Sequence, residues 1–213
     1  MDISDDFLTN IIPVVHMLKY VNTDVVFQEI PNETTLAINI SNCPCHCKGC
    51  HSAYLAEDIG EILTFSRLEK LIKQHEGITA VCFMGGDNDP KEINHYAELI
   101  KQLTTEVKTT HILKNDVSLP KGISIPHGST ITEVKTVPME LKVGWYSGRQ
   151  ELAKEIELKN FNFIKLGPYI EDLGGLKSPT TNQRLYEVKM NREVDEKGNP
   201  IYGLEDITNM FWK

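Results

Sequence analysis

The order of elements in the sequence predicts an α/β fold on a parallel sheet or barrel, and three observations carry that prediction. The run Ile78-Thr79-Ala80-Val81-Cys82-Phe83-Met84 is short and nearly all apolar, as a strand covered on both faces is. A glycine turn, Gly85-Gly86-Asp87, follows it, and a helix signal follows the turn. The α/β pattern resumes after Leu141, so the chain holds roughly five or six strand and helix units.

Taken in order, the N-terminus reads Met1-Asp2-Ile3-Ser4-Asp5-Asp6, acidic where a secretory leader would be basic. The apolar stretch near Ile11 is broken by Pro13 and His16, so no export signal is expected. Val25 to Ile30 and Thr35 to Ile40 read as two strands joined by the turn Pro31-Asn32-Glu33. Ser66-Arg67-Leu68-Glu69 fits a capping box, and Leu68, Leu71 and Ile72 follow at helical spacing until Gly77 stops the helix. After the strand at Ile78, Asp89 is an N-cap with Pro90 in the first helical position, and Ile93, Tyr96, Ala97, Ile100 and Leu103 form one face.

A strand is expected near Val107 to Leu113, and Lys114 to Met139 then reads as an irregular insertion with an alternating piece around Thr130 to Val137. Leu141 to Tyr146 reads as a strand, Gln150 to Leu158 as a helix, Phe161 to Leu166 as another strand and Leu185 to Val188 as the last. From Lys189 the chain turns polar, with a turn at Glu196 to Pro200. It closes on Ile207, Met210, Phe211 and Trp212, which predicts a docked tail.

A length of 213 residues suits one domain, with its core at about 25–188 and a polar C-terminal extension at 189–213. Apolar residues make up 40% and charged residues 24%, enough apolar surface for a packed core. The net charge is -8 and no Lys/Arg cluster is dense enough to meet a phosphate backbone, so nucleic acid is not an expected partner. No run approaches the ~18 apolar residues of a membrane span, and the expected location is the cytoplasm.

Four of the five cysteines lie between Cys43 and Cys50, within Asn42-Cys43-Pro44-Cys45-His46-Cys47-Lys48-Gly49-Cys50-His51. Such crowding in a cytosolic chain points to metal rather than to disulfides. Cys43, Cys47 and Cys50 have the spacing C-x3-C-x2-C, and three thiolates on an iron–sulfur cluster leave one iron open to a ligand. With Cys45 added, the same loop offers four thiolates and a closed zinc or iron–sulfur site. Gly85-Gly86-Asp87 is either a tight turn or a place where backbone approaches a ligand closely. Cys82 belongs to the core, and His46 and His51 are either solvated, or bind metal, or tune the cluster by hydrogen bonding.

In its cysteine spacing and its Gly-Gly-Asp segment the sequence resembles the radical S-adenosylmethionine superfamily. The resemblance implies a partial (incomplete) β/α barrel in which Cys43, Cys47 and Cys50 hold a 4Fe-4S cluster. The fourth iron would chelate the amino and carboxylate groups of S-adenosyl-L-methionine, and Gly85, Gly86 and Asp87 would contact the methionyl amino group. It also implies reductive cleavage of that cofactor to a 5'-deoxyadenosyl radical, with no acid or base of the protein as a catalytic residue.

Lys48-Gly49-Cys50, Tyr146-Ser147-Gly148, Gly167-Pro168-Tyr169-Ile170-Glu171 and Thr181-Asn182-Gln183-Arg184 narrow the resemblance to the anaerobic ribonucleoside-triphosphate reductase activating proteins, over about Ala37 to Val188. Ser52 stands where many relatives have Asn, and Lys114 to Met139 looks longer than usual. The implied role is an oxidoreductase that installs a glycyl radical on the large catalytic subunit of the class III reductase. Its electrons would come from a small donor protein such as flavodoxin or ferredoxin. The alternatives are an activase of another glycyl radical enzyme, a 7-carboxy-7-deazaguanine synthase, and a non-catalytic metal-binding module.

Overall fold

In a computed structural model of the chain, residues 17–113 and 131–212 are described, those of 104–113 and 131–138 by their backbone alone. The N-terminal features read from the sequence, and 114–130 of the expected insertion, lie outside the described residues. Strand β1 (Lys19–Val26) pairs antiparallel with β2 (Thr35–Ile40), and β3 (Glu61–Ile62) pairs with the start of β1. The expected first strand ran to Ile30, but β1 ends at Val26 because Ile30 turns inward and is fully buried among Ala80, Cys82, Phe163 and Leu185. Gly144 makes the room, since a Cβ there would lie 2.7 Å from Ile30 Cδ1.

Helix α1 (Phe65–Gln74) is capped by Thr64, whose hydroxyl accepts the Arg67 amide at 3.2 Å. The expected cap, Ser66, therefore sits inside the first turn. The earlier start brings Phe65 onto the core beside the buried Leu68 and Ile72. Strand β4 (Ala80–Met84) follows, then α2 (Pro90–Ile100), whose cap is the expected Asp89, accepting the Glu92 amide at 3.1 Å. Strands β5 (Thr104–Leu113) and β6 (Ile131–Glu140) form a two-stranded antiparallel ribbon apart from the main sheet, so the last residues of the expected insertion are regular strand. Strands β7 (Lys142–Tyr146), β8 (Phe163–Leu166), β9 (Arg184–Val194) and β10 (Pro200–Asp206) complete the chain.

The main sheet has eight strands in the order β10-β9-β8-β7-β4-β2-β1-β3. Pairs β2/β4, β4/β7 and β7/β8 are parallel; β3/β1, β1/β2, β8/β9 and β9/β10 are antiparallel. This overturns the expected partial β/α barrel with five or six parallel strands: the sheet is open and mixed, and only two α-helices stand among the described residues.

The causes are local. Helices α1 and α2 supply two crossovers, but the expected helix at Gln150 to Leu158 does not form. Asn94 Oδ1 on α2 takes the Glu157 amide at 2.8 Å, while Ala153 and Ile156 reach the core from successive turns that end in a 3-10 turn at Leu158–Asn160. Beyond the four parallel strands, both flanks of the sheet close with antiparallel partners, which removes the parallel edges a barrel would join. The expected polar extension is part of that closure, because β9 runs on to Val194 and returns as β10.

Side chains alternate between two layers, as a pleated sheet requires. Val81, Phe83, Val143, Trp145, Ile164 and Leu166 face the helices. Ala80, Cys82 and Phe163 face Ile30, Leu176, Ile207 and Phe211, so irregular segments cover the second face. The tail docks there, and Trp212 Nε1 donates to the Leu176 carbonyl at 3.1 Å. No helix among the described residues is long and apolar enough to cross a membrane.

Replacing the α2 cap tests this packing. Asp89→Ala should lower stability by about 1 kcal/mol, read as a lower urea midpoint with an unchanged slope. An unchanged midpoint would contradict the assigned cap.

Candidate functional site

The carboxyl ends of β2, β4, β7 and β8 lie side by side, where open parallel sheets hold their ligands. The cysteine loop leaves β2 through Ser41, whose buried hydroxyl donates to the Ile59 carbonyl at 2.6 Å. Asn42 and Cys43 donate their amides to the Glu57 and Leu55 carbonyls at 3.0 and 2.8 Å, which anchors the loop on the turn around Leu55. Left-handed backbone at Asn42, His46 and Gly49 (φ 59°, 43° and 72°) coils the segment on itself, and Cys50 donates its amide to the Cys47 carbonyl.

Cys43, Cys45, Cys47 and Cys50 all line one cavity of about 350 Å³, and Gly85 and Asp87 lie on the same wall. Gly86 does not; it packs under the turn, where a Cβ would lie 2.5 Å from Ile93 Cδ1. Gly85 and Gly86 both have positive φ, 94° and 86°, so backbone geometry alone requires two glycines here. The indole nitrogen of buried Trp145 donates to the Gly85 carbonyl at 2.8 Å and fixes the start of the turn.

Asp87 is 1% exposed and fully engaged. Its Oδ1 accepts the Ser147 hydroxyl at 2.5 Å and lies 3.5 Å from Arg149 Nε; its Oδ2 accepts the Gly148 amide at 3.0 Å. Arg149 also donates to the Asp87 carbonyl at 2.8 Å. One buried carboxylate thereby ties the end of β4 to the end of β7.

Of the remaining residues read from the sequence, Ser147, Gly148, Tyr169 and Gln183 line the cavity, and so does His46. His51 is exposed and off the cavity wall. Cys82 is buried in the sheet, where burial pushes its thiol well above the usual range, as a core cysteine requires. A hydrogen bond from the Cys45 thiol holds Cys43 down, to about 6, and the same contact pushes Cys45 up. One ligand atom each from Cys43, Cys45 and Asp87 lie within 4.8 Å of one another.

Sequence reading missed Lys165. It is 7% exposed, lines the same cavity, and donates to the Gly167 and Ser147 carbonyls at 2.6 and 3.3 Å, leaving one of its three donors unused. Burial lowers its ammonium to about 8, against the opposing pull of Asp87 and the thiols of Cys47, Cys45 and Cys50. The available signal was an ionisable residue inside the apolar run Phe163-Ile164-Lys165-Leu166, which a strand buried on both faces does not otherwise carry.

The profile of a 4Fe-4S single cluster domain matches residues 34–137, a span that contains the cysteine loop and the Gly85-Gly86-Asp87 turn. No curated protein and no solved structure matches the chain. The donor set fits such a cluster: four soft sulfur ligands on one loop face one cavity, with a buried cation to balance thiolate charge. The match and the donor set together support an iron–sulfur protein.

A positive charge beside a cluster favours its reduced form. Lys165→Met should therefore move the cluster's midpoint potential in the negative direction in an anaerobic redox titration at unchanged iron content. A potential equal to that of the unmodified protein would remove Lys165 from the site.

Proposed function

We propose that this chain binds S-adenosyl-L-methionine at a 4Fe-4S cluster held by Cys43, Cys47 and Cys50, and that it installs a glycyl radical on the anaerobic ribonucleoside-triphosphate reductase. The observation that carries the reading is that a C-x3-C-x2-C triad, which leaves one iron open, shares a cavity with the Gly85-Gly86-Asp87 turn. The reading rests on this site and not on the fold, since the open mixed sheet is no barrel. When bound, a cluster held by Cys43, Cys47 and Cys50 would supply the one electron for reductive cleavage of the cofactor to methionine and a 5'-deoxyadenosyl radical.

The chain's own residues bind and orient. A cavity of about 350 Å³ lies within the range of small-molecule sites. Gly85 and Asp87 line the cavity where the methionyl ammonium is proposed to sit, and Lys165 lines the same cavity. Tyr169 and Gln183, from the Gly-Pro-Tyr and Asn-Gln-Arg segments, line the same cavity. The proposed partners are the reductase's large subunit, whose glycine loop must reach this rim, and a flavodoxin or ferredoxin as electron donor. One observation favours a second reading, a closed electron-transfer centre: Cys45 stands beside Cys43 on the cavity wall.

The test is anaerobic incubation of the reconstituted protein with reductant, S-adenosyl-L-methionine and the reductase subunit. The expected products are 5'-deoxyadenosine and the doublet of a glycyl radical in the paramagnetic resonance spectrum, both absent with Cys47→Ala. Cleavage without the doublet would move the activity to another target. Neither product, from protein with a full cluster, would overturn the proposal.

A further inference from the structure

We propose that strand β5 is a dimerisation edge. Two copies of this chain pair antiparallel through Thr104-Thr105-Glu106-Val107-Lys108-Thr109-Thr110, about a twofold axis at Val107, and join their ribbons into one four-stranded sheet.

Three observations carry it, and the first is the isolation of the ribbon. Strands β5 and β6 are ten residues long and pair with each other, and among the described residues no further strand continues the ribbon at either outer edge. A two-stranded ribbon is marginal in water, and an outer edge presents a row of unpaired amides and carbonyls, so added strands stabilise it.

The second is the sequence of β5. Set antiparallel against a copy of itself about Val107, Thr104 lies opposite Thr110, Thr105 opposite Thr109 and Glu106 opposite Lys108, so both charged pairs of the interface join opposite signs. The registers shifted by two residues keep the same faces but set Glu106 opposite Glu106 of the second copy, or Lys108 opposite Lys108. An in-register parallel pairing sets both like pairs at once. Repulsion therefore singles out the register centred on Val107.

The third is that the chain does not use this complementarity internally. Strand β6 repeats the pattern as Thr132-Glu133-Val134-Lys135-Thr136, yet the ribbon sets Glu106 opposite Pro138, Lys108 opposite Thr136, Thr109 opposite Lys135 and His111 opposite Glu133. No register pair of the ribbon joins a glutamate to a lysine. The assignment falls on β5 rather than β6 because Pro138 lies on β6, and a proline, with no amide to donate, blunts an edge. The pairing needs neither cluster nor cofactor.

Sedimentation velocity of the full-length protein over a concentration series tests this. The unmodified protein should sediment as a dimer. Glu106→Lys and Lys108→Glu each place two like-charge pairs in the interface, and each should raise the dimer's dissociation constant on the order of tenfold. An equimolar mixture of the two single variants should recover the dimer, because a chain with lysine at both positions then meets a chain with glutamate at both. The double variant E106K/K108E should recover it as well, whereas a variant that had merely failed to fold would not be rescued by mixing.

A monomer at every concentration would overturn the proposal. So would a dimer indifferent to both single reversals, or one that neither mixing nor the double variant restores. Dissociation by Glu133→Lys or Lys135→Glu, with the β5 variants still dimeric, would move the contact to β6 and overturn the assignment.

Discussion

The carboxylate of Asp87 is buried where two strand ends meet, and the shape of the cavity depends on what it holds. Its two oxygens take the hydroxyl of Ser147 and the amide of Gly148, with the Arg149 guanidinium behind. A buried carboxylate stripped of such partners costs about 3–5 kcal/mol, so the turn after β7 is held in the one arrangement that satisfies it. That arrangement sets Gly148 against Cys45 and brings the cysteine loop over the end of β4. The reach of Asp87 depends in turn on Gly85 and Gly86, whose positive φ lets the chain reverse between β4 and the cap of α2 and whose lack of a Cβ leaves room for Ile40 and Ile93.

The sheet converts this local tie into a site. Three parallel pairings align four strand ends on one rim, and the antiparallel strands at both flanks hold the parallel set without bringing further ligand loops to that rim. The two faces are covered unequally. Helices α1 and α2 pack on one, and on the other Ile30, Leu176, Ile207 and Phe211 come from three separate segments of the chain. The C-terminal tail therefore belongs to the support of β4 and β8, the strands that carry Asp87 and Lys165 to the cavity, and Tyr146 joins that face by donating its buried hydroxyl to the Glu29 carbonyl.

Much of this was legible in the sequence because it depends on near neighbours. The Asp89 cap, the strand at β4 and the crowding of the cysteines each follow from a few adjacent residues, and the shared rim followed from strand order. What was not legible depends on distant partners. The helix expected at Gln150 to Leu158 lost to Asn94, a residue about 60 positions earlier, because a side-chain acceptor took an amide the helix needed. The barrel failed for a similar reason: antiparallel return of the chain at β9 leaves no trace in the periodicity of Leu185 to Val188. Lys165 was hidden because its significance is its burial among thiols from another loop, which no local pattern records.

Ligation of the cluster by a small molecule is what separates an open three-thiolate site from a closed one, and it is accessible without any partner protein. The direct measurement is electron–nuclear double resonance on the reduced, reconstituted protein with S-adenosyl-L-methionine isotopically labelled at its methionyl amino nitrogen and carboxylate. The site built on Cys43, Cys47 and Cys50 predicts hyperfine coupling of both labels to the cluster. A fully assembled and reduced cluster that shows coupling to neither would contradict it.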